Sequence, residues 1–148
     1  MGADGAVAGD RTLAFLAGLH RLVIRATGGR LGWRLGRLEV VELHTRGRRS
    51  GQRRSAMLTT PIADGDRIVL VASKGGADRH PAWYLNLVAD PDVEVTTSAG
   101  HRRMVARTAD PDERAALWPR IVRRYSGYRR YQERTARVIP VVICEPAT

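Results

Sequence analysis

Residues 38 to 72 place the tightest limit on the fold. Three short strand-like segments, Leu38 to Leu43, Ser55 to Pro61 and Arg67 to Ala72, are separated by turn signals, and the last two are joined by Asp64-Gly65, a pair suited to a tight hairpin. Neighbouring strands must therefore run antiparallel. The first connection, Leu43-His44-Thr45-Arg46-Gly47-Arg48-Arg49-Ser50-Gly51-Gln52-Arg53-Arg54, holds five arginines and two glycines and reads as an anion cradle. A second loop, Val71-Ala72-Ser73-Lys74-Gly75-Gly76, sets the chain's only lysine before two glycines, which suits backbone amides approaching a phosphate. Two such loops at the ends of one hairpin point to a single phosphorylated ligand.

Apolar residues at Leu13, Leu16, Leu19, Val23 and Ile24 follow helical spacing, and Gly28-Gly29 supply a stop, so a basic amphipathic helix is expected over residues 11 to 26. Further on, Pro81 begins a short helix to about Val88, ended by Asp90-Pro91. Val93 to Thr97 and Arg102 to Thr108 flank Ser98-Ala99-Gly100-His101 as another hairpin. Asp110-Pro111-Asp112-Glu113 is a capping box opening a helix through about Arg124. Tyr128 to Arg134 is helical, and Val138 to Cys144 is a last strand with an edge or a bulge at Pro140. Strands in hairpins with interspersed helices define an α+β domain around an antiparallel sheet. The chain divides into a flexible start (1–10), a basic helix and linker (11–37) and one main domain (38–148).

The formal charge of +10, carried almost wholly by arginine, calls for anionic partners. Single-strand nucleic acid binders interleave aromatics with their basic groups, and residues 46 to 54 contain none, so nucleic acid is not expected. A lone cysteine, Cys144, excludes an intramolecular disulfide and a cysteine zinc site. The four histidines are scattered, so neither a metal site nor a covalent nucleophile is assigned. With no membrane-length apolar run and no export signal, a cytoplasmic protein is expected, and the basic helix would suit peripheral contact with the anionic inner face of the cell membrane.

Each motif also has a plainer explanation. The arginine run could be a solvated turn, and Gly75-Gly76 could serve only to permit positive φ. Trp83 could be ordinary core, as could any two of Tyr125, Tyr128 and Tyr131, whose spacing by three keeps them within one broad helical face.

Taken together, the His-Thr-x-Gly-Arg-Arg-Ser-Gly loop, Asp64-Gly65, Ser-Lys-Gly-Gly, Pro81-Ala82-Trp83-Tyr84-Leu85-Asn86-Leu87 and the tyrosine series before Ile139-Pro140-Val141-Val142 resemble the deazaflavin-dependent nitroreductase and quinone reductase family over about residues 38 to 146. The resemblance implies a six-stranded split β-barrel and coenzyme F420 as cofactor. It further implies hydride transfer from the reduced coenzyme to a flat, electron-poor acceptor such as a quinone, an enone or a nitroaromatic. By that resemblance Arg48, Arg49 and Arg54 hold the phosphodiester and glutamate tail, while Ser73, Lys74, Gly75 and Gly76 lie against the ring and phosphate. Trp83 and Asn86 border the ligand, Tyr128 donates or orients a proton, and Tyr125 and Tyr131 wall the substrate pocket. Arg46 and Arg53 face water. A homodimer is left open. The alternatives are a split barrel that binds flavin mononucleotide or a haem-derived ligand, and a non-catalytic binder of anionic surfaces.

Overall fold

A computed structural model describes residues 34–35 and 38–148; the expected helix over 11–26 and the flexible start lie outside the described residues. The elements are β1 (Arg34–Leu35), β2 (Leu38–Arg46), β3 (Arg53–Thr60), β4 (Ile62–Asp64), β5 (Arg67–Val71), a 3-10 turn (Lys74–Gly76), α1 (Ala82–Ala89), β6 (Asp92–Thr97), β7 (Gly100–Thr108), α2 (Pro111–Arg124), α3 (Gly127–Glu133) and β8 (Val141–Pro146). All pairings are antiparallel, in the order β1-β2-β6-β7-β8-β5-β4, with β3 on the other side of β2.

The expected count of six strands is corrected to eight among the described residues. One addition is the two-residue β1. The other follows Pro61, which lacks an N–H and cannot continue a ladder: the strand expected over Ser55 to Pro61 is β3, which pairs with β2, and beyond the proline a further short strand, β4, pairs with β5. The chain therefore switches partners at Pro61 and curls the sheet into a half-barrel. The hydroxyl of buried Thr60 lies 2.8 Å from the Ile62 carbonyl and 2.7 Å from that of Val69, which gives the corner a polar anchor.

Side chains alternate across the sheet, so each strand supplies two faces. Val41, Leu43, Ile68, Leu70, Val95, Met104, Val142 and Cys144 fill the inside of the curl, with Leu87 of α1 at one end. Val69, Val71, Val141 and Ile143 point outward and are covered by Leu117 and Ile121 of α2 and Tyr128 of α3. Because β5 and β8 are buried on both faces, their sequences are unbroken apolar runs where a half-exposed strand would alternate. Cys144, the only thiol in the sequence, is in that interior, and burial pushes its pKa up to about 12.

The helix ends follow local chemistry. Asp110 and Glu113 form the expected box, Asp110 Oδ1 accepting from the Glu113 amide at 2.8 Å and Glu113 Oε1 accepting from the Asp110 amide at 3.1 Å. Pro81 caps α1 from just outside the helix. Pro140 precedes β8, which corrects the strand expected from Val138 and the edge or bulge at that proline. β8 is central, between β7 and β5, and the Pro140 carbonyl accepts the Ala72 amide at 2.9 Å.

Candidate active site

The arginine loop is shorter than its sequence suggests. β2 and β3 continue to a cross-strand pair Arg46–Arg53, leaving residues 47–52 as the turn. It is closed by Gly47 N–H to the Gln52 carbonyl at 2.7 Å and Gly51 N–H to the Gly47 carbonyl at 2.8 Å, with Gly51 left-handed at φ 70°. Pleating then sorts the arginines. Arg54, opposite Thr45, faces a pocket of about 460 Å³ that also takes in Arg48, Arg49, Ser50, Trp83 and Asn86. Arg46 and Arg53 face a different cleft and are neutralised there, Arg46 by Asp90 at 3.6 Å and Arg53 by Glu94 at 2.8 Å. Among the described residues Arg48, Arg49 and Arg54 pair with no carboxylate.

Asn86 is buried, and both ends of its amide are used within the protein: Oδ1 accepts the Arg48 backbone N–H at 3.1 Å and Nδ2 donates to Thr45 Oγ1 at 3.2 Å. It clips the loop to β2. Trp83, one turn before Leu87 on α1, packs partly against the core and otherwise lines the arginine pocket.

The remaining sequence candidates gather elsewhere. Lys74, Gly75 and Gly76 run left-handed in succession (φ 46°, 63° and 83°), and Lys74 is the one non-glycine residue of positive φ among the described residues. Gly76 is tight against α3, for a Cβ there would sit 2.6 Å from the Tyr131 carbonyl oxygen. The tyrosines form a three-ring cluster with centroid separations of 5.3, 6.3 and 6.1 Å. They do not share one helix, because Tyr125 is the extended cap of α2 while Tyr128 and Tyr131 belong to α3.

Their environments differ. Tyr128 is only 4% exposed, its hydroxyl 3.0 Å from Thr59 Oγ1, and burial raises its pKa above the usual phenol value. Tyr125 is 37% exposed and its hydroxyl lies 3.3 Å from that of half-buried Tyr131. The hydrogen bond with Tyr125 is the first cause of the raised pKa of Tyr131. The outward hydroxyls thus belong to Tyr125 and Tyr131, while Tyr128 is turned to β3.

Strand β3 connects the two groups. Arg54 and Thr59 are five residues apart, about 17 Å at the usual strand rise, and alternation sends them to opposite faces. Among the described residues β3 pairs only with β2, so its other edge lies between arginine pocket and tyrosine cluster. A ligand touching both must cross that edge.

Thr45 and Thr59 carry no sequence signal of their own, and Gly127 is marked only as a break before the tyrosine helix. Threonines are common in strands, and the need for glycine at 127, where a Cβ would collide with the Tyr125 ring, appears only once the α2–α3 corner is built. Among the described residues no group of three or more His, Cys, Asp or Glu side chains could hold a metal ion.

A curled antiparallel sheet with one cationic pocket and one phenolic cluster on opposite faces of β3 defines a split-barrel protein. Residues 18–146 match the model of the F420H(2)-dependent quinone reductase family, and the chain belongs to that family. It is an oxidoreductase, and its cofactor is coenzyme F420. An F420H(2)-dependent quinone reductase of Mycobacterium tuberculosis is 40% identical over 129 residues, covering 84% of this chain and 86% of the relative. A solved F420-H2 dependent reductase is 37% identical with a TM-score of 0.65, covering 72% of this chain and 93% of that one. A second solved chain, described as a domain-swapped dimer, has the same identity and TM-score and covers 72% of this chain and 79% of its own.

Proposed function

We propose that the protein reduces quinones, with other flat electron-poor compounds such as enones and nitroaromatics as further acceptors. The observation that carries the assignment of sites is the set of three guanidiniums, Arg48, Arg49 and Arg54, gathered round one pocket without a carboxylate partner among the described residues. A phosphodiester and glutamate tail supplies the anions that such a set lacks, and guanidinium forks match them in shape as well as charge. The donor set therefore fits coenzyme F420. Flavin mononucleotide, with one terminal phosphate and no glutamate tail, would leave part of it unused.

In this reading Arg48, Arg49 and Arg54 hold the tail, Asn86 keeps the loop in place, and Trp83 supplies an apolar wall. Ser73, Lys74, Gly75 and Gly76 meet the ring and phosphate end across the edge of β3. When bound, the reduced coenzyme supplies the hydride. The protein's own task is alignment and charge control. Tyr125 and Tyr131 wall the acceptor pocket and turn hydroxyls toward it, and Tyr128, held by Thr59, orients them through ring contacts. The hydrogen bond with Tyr125 and partial burial hold the Tyr131 pKa above the usual phenol value, so its hydroxyl keeps its proton at neutral pH and acts as a hydrogen-bond donor to the oxygen of a reduced acceptor.

Two further parts of the reading concern partners. A homodimer is proposed, in keeping with the similar solved chain described as a domain-swapped dimer. Peripheral contact with anionic membrane is proposed for the basic segment 11–37; among the described residues no helix is long and apolar enough to cross a membrane.

The test is a titration of the purified protein with oxidised coenzyme F420, following quenching of tryptophan fluorescence, with flavin mononucleotide alongside, then turnover of the reduced coenzyme on quinone, enone and nitroaromatic acceptors. Saturable binding of the deazaflavin alone, with turnover fastest on quinones, is expected. Equal binding of flavin mononucleotide would overturn the assignment of the arginine pocket.

A further inference from the structure

Arg137 follows the tyrosine helix, and no motif marks it. Its guanidinium nevertheless makes four contacts within and just after the lysine loop. Nε donates to the Ala77 carbonyl at 2.8 Å, Nη1 to the Ala72 carbonyl at 3.2 Å, Nη2 to the Ser73 carbonyl at 2.9 Å, and Nη1 lies 3.2 Å from His80 Nδ1. Arg134 adds a contact from Nη1 to the Gly75 carbonyl at 3.3 Å. Arg137 is itself fixed from behind: its carbonyl accepts from Gln132 Nε2 at 2.7 Å, its amide donates to Thr135 Oγ1 at 3.3 Å, and Thr135 donates to Asp78 Oδ1 at 2.9 Å.

The loop so held is strained. Ser73 is right-handed helical and Lys74 left-handed, a succession that points neighbouring N–H groups to one side and forms a concavity for an anion or a carbonyl oxygen. For a side chain such as lysine the left-handed conformation costs about 1–2 kcal/mol, so something must hold it. In a trans peptide the C=O and the following N–H point in opposite directions. Drawing the carbonyls of Ala72 and Ser73 toward Arg137 therefore turns the N–H groups of Ser73 and Lys74 to the side away from Arg137.

We propose that Arg137 is a positioning residue that holds the Ser73–Gly76 loop in its ligand-binding conformation from the carbonyl side. The inference rests on the assignment of that loop to coenzyme F420. It also explains why an arginine is needed: one planar fork satisfies the carbonyls of Ala72, Ser73 and Ala77 at once, whereas a lysine ammonium supplies its charge at one point.

The test compares Arg137→Met and Arg137→Lys with the wild-type chain by thermal melting, amide hydrogen exchange and coenzyme titration. In Arg137→Met the Gly76 and Ala77 amides, which donate to the Ser73 and Lys74 carbonyls at 2.9 and 3.2 Å, should exchange at least tenfold faster while amides of β5 and β8 do not change. The Kd for oxidised coenzyme F420 should rise at least tenfold, and Arg137→Lys should recover part of that loss. Wild-type Kd in Arg137→Met overturns the proposal, and so does accelerated exchange throughout the sheet in both variants, which would make Arg137 a general structural residue. Should Arg137→Met fail to fold, Arg137→Lys carries the test, with at least a threefold rise in Kd at unchanged melting temperature expected and an unchanged Kd overturning it. Failure of the wild-type chain to bind the coenzyme would instead strike the reading of the site.

Discussion

The arginine pocket and the tyrosine cluster flank the same strand, yet they are built in opposite ways. Around the pocket the charged groups are exposed, come from a six-residue turn and the start of β3, and the turn is secured mainly through the backbone by Asn86 and two glycines. In the cluster one phenol is buried in the core, another contacts it ring to ring, and the glycine loop beside them is clamped by Arg134 and Arg137, which follow the tyrosine helix. Groups that supply affinity for a flexible anionic tail can remain solvated and adaptable. Groups that must align a reacting ring need fixed positions, because a misplacement of about 1 Å can cost two orders of magnitude in rate.

The largest effect should come from removing the charge on one side of this contrast. Changing Arg48, Arg49 and Arg54 together to methionine removes charge-assisted contacts worth roughly 1.5–3 kcal/mol each, so the coenzyme Kd should rise at least 1000-fold while the melting temperature holds; a large drop in melting would show that the pocket is structural after all. On the other side, Gly76→Ala should cost about 2–4 kcal/mol of stability, since it combines a left-handed backbone with a clash against the Tyr131 carbonyl. Denaturant unfolding measures this, and an unchanged midpoint would mean that the loop and α3 are not packed as described.

Between these, Asn86→Ala leaves the Arg48 amide without its acceptor, a loss of about 1–3 kcal/mol. It should weaken coenzyme binding roughly tenfold with little change in kcat, whereas a fall in kcat at constant Kd would move Asn86 from holding the loop to aligning the ring. Tyr128→Phe removes the hydrogen bond to Thr59 at a cost of about 1 kcal/mol and should lower kcat a fewfold on all acceptors; full turnover on every acceptor would remove Tyr128 from the mechanism.

Smallest is a pH effect at neither site. Glu113 is held at a pKa of about 2, below the ordinary carboxylate value, by Arg107 through bonds of 2.7 and 2.9 Å and by the Asp110 amide. A depressed carboxylate stabilises the fold above its unfolded pKa and loses that contribution as pH falls through the folded one. Glu113→Gln should therefore melt slightly below wild type at neutral pH, with the gap closing as pH approaches 2, and a constant gap would show that the ionised pair is not responsible.

The fold was largely legible because its signals are local. The Asp110 box, the Asp64-Gly65 turn and the unbroken apolar run of β5 each determine one element from neighbouring residues. The strand count was not, because whether Pro61 ends a strand or redirects it depends on β5, which the segment meets only after folding. At the site, residue types pointed to Arg48, Arg49 and Arg54 as a set, and pleating separated them from Arg46 and Arg53, which find acidic partners. The break between a helix ending near Arg124 and one starting near Tyr128 was legible from local signals, but the way the corner between them brings the rings of Tyr125 and Tyr128 together was not. Arg137 was unreadable, since its partners are carbonyls, and every residue has one.

The position of Cys144 has a chemical consequence. Quinones and enones are electrophiles, and a thiolate adds readily to their conjugated bonds, so an enzyme that handles such compounds risks being arylated by its own substrates. The one sulfur nucleophile of this chain is sealed inside the curl, and with a pKa of about 12 it is almost wholly protonated at neutral pH. The folded protein therefore offers its acceptors no thiolate to modify, and arylation at sulfur begins only when the barrel opens.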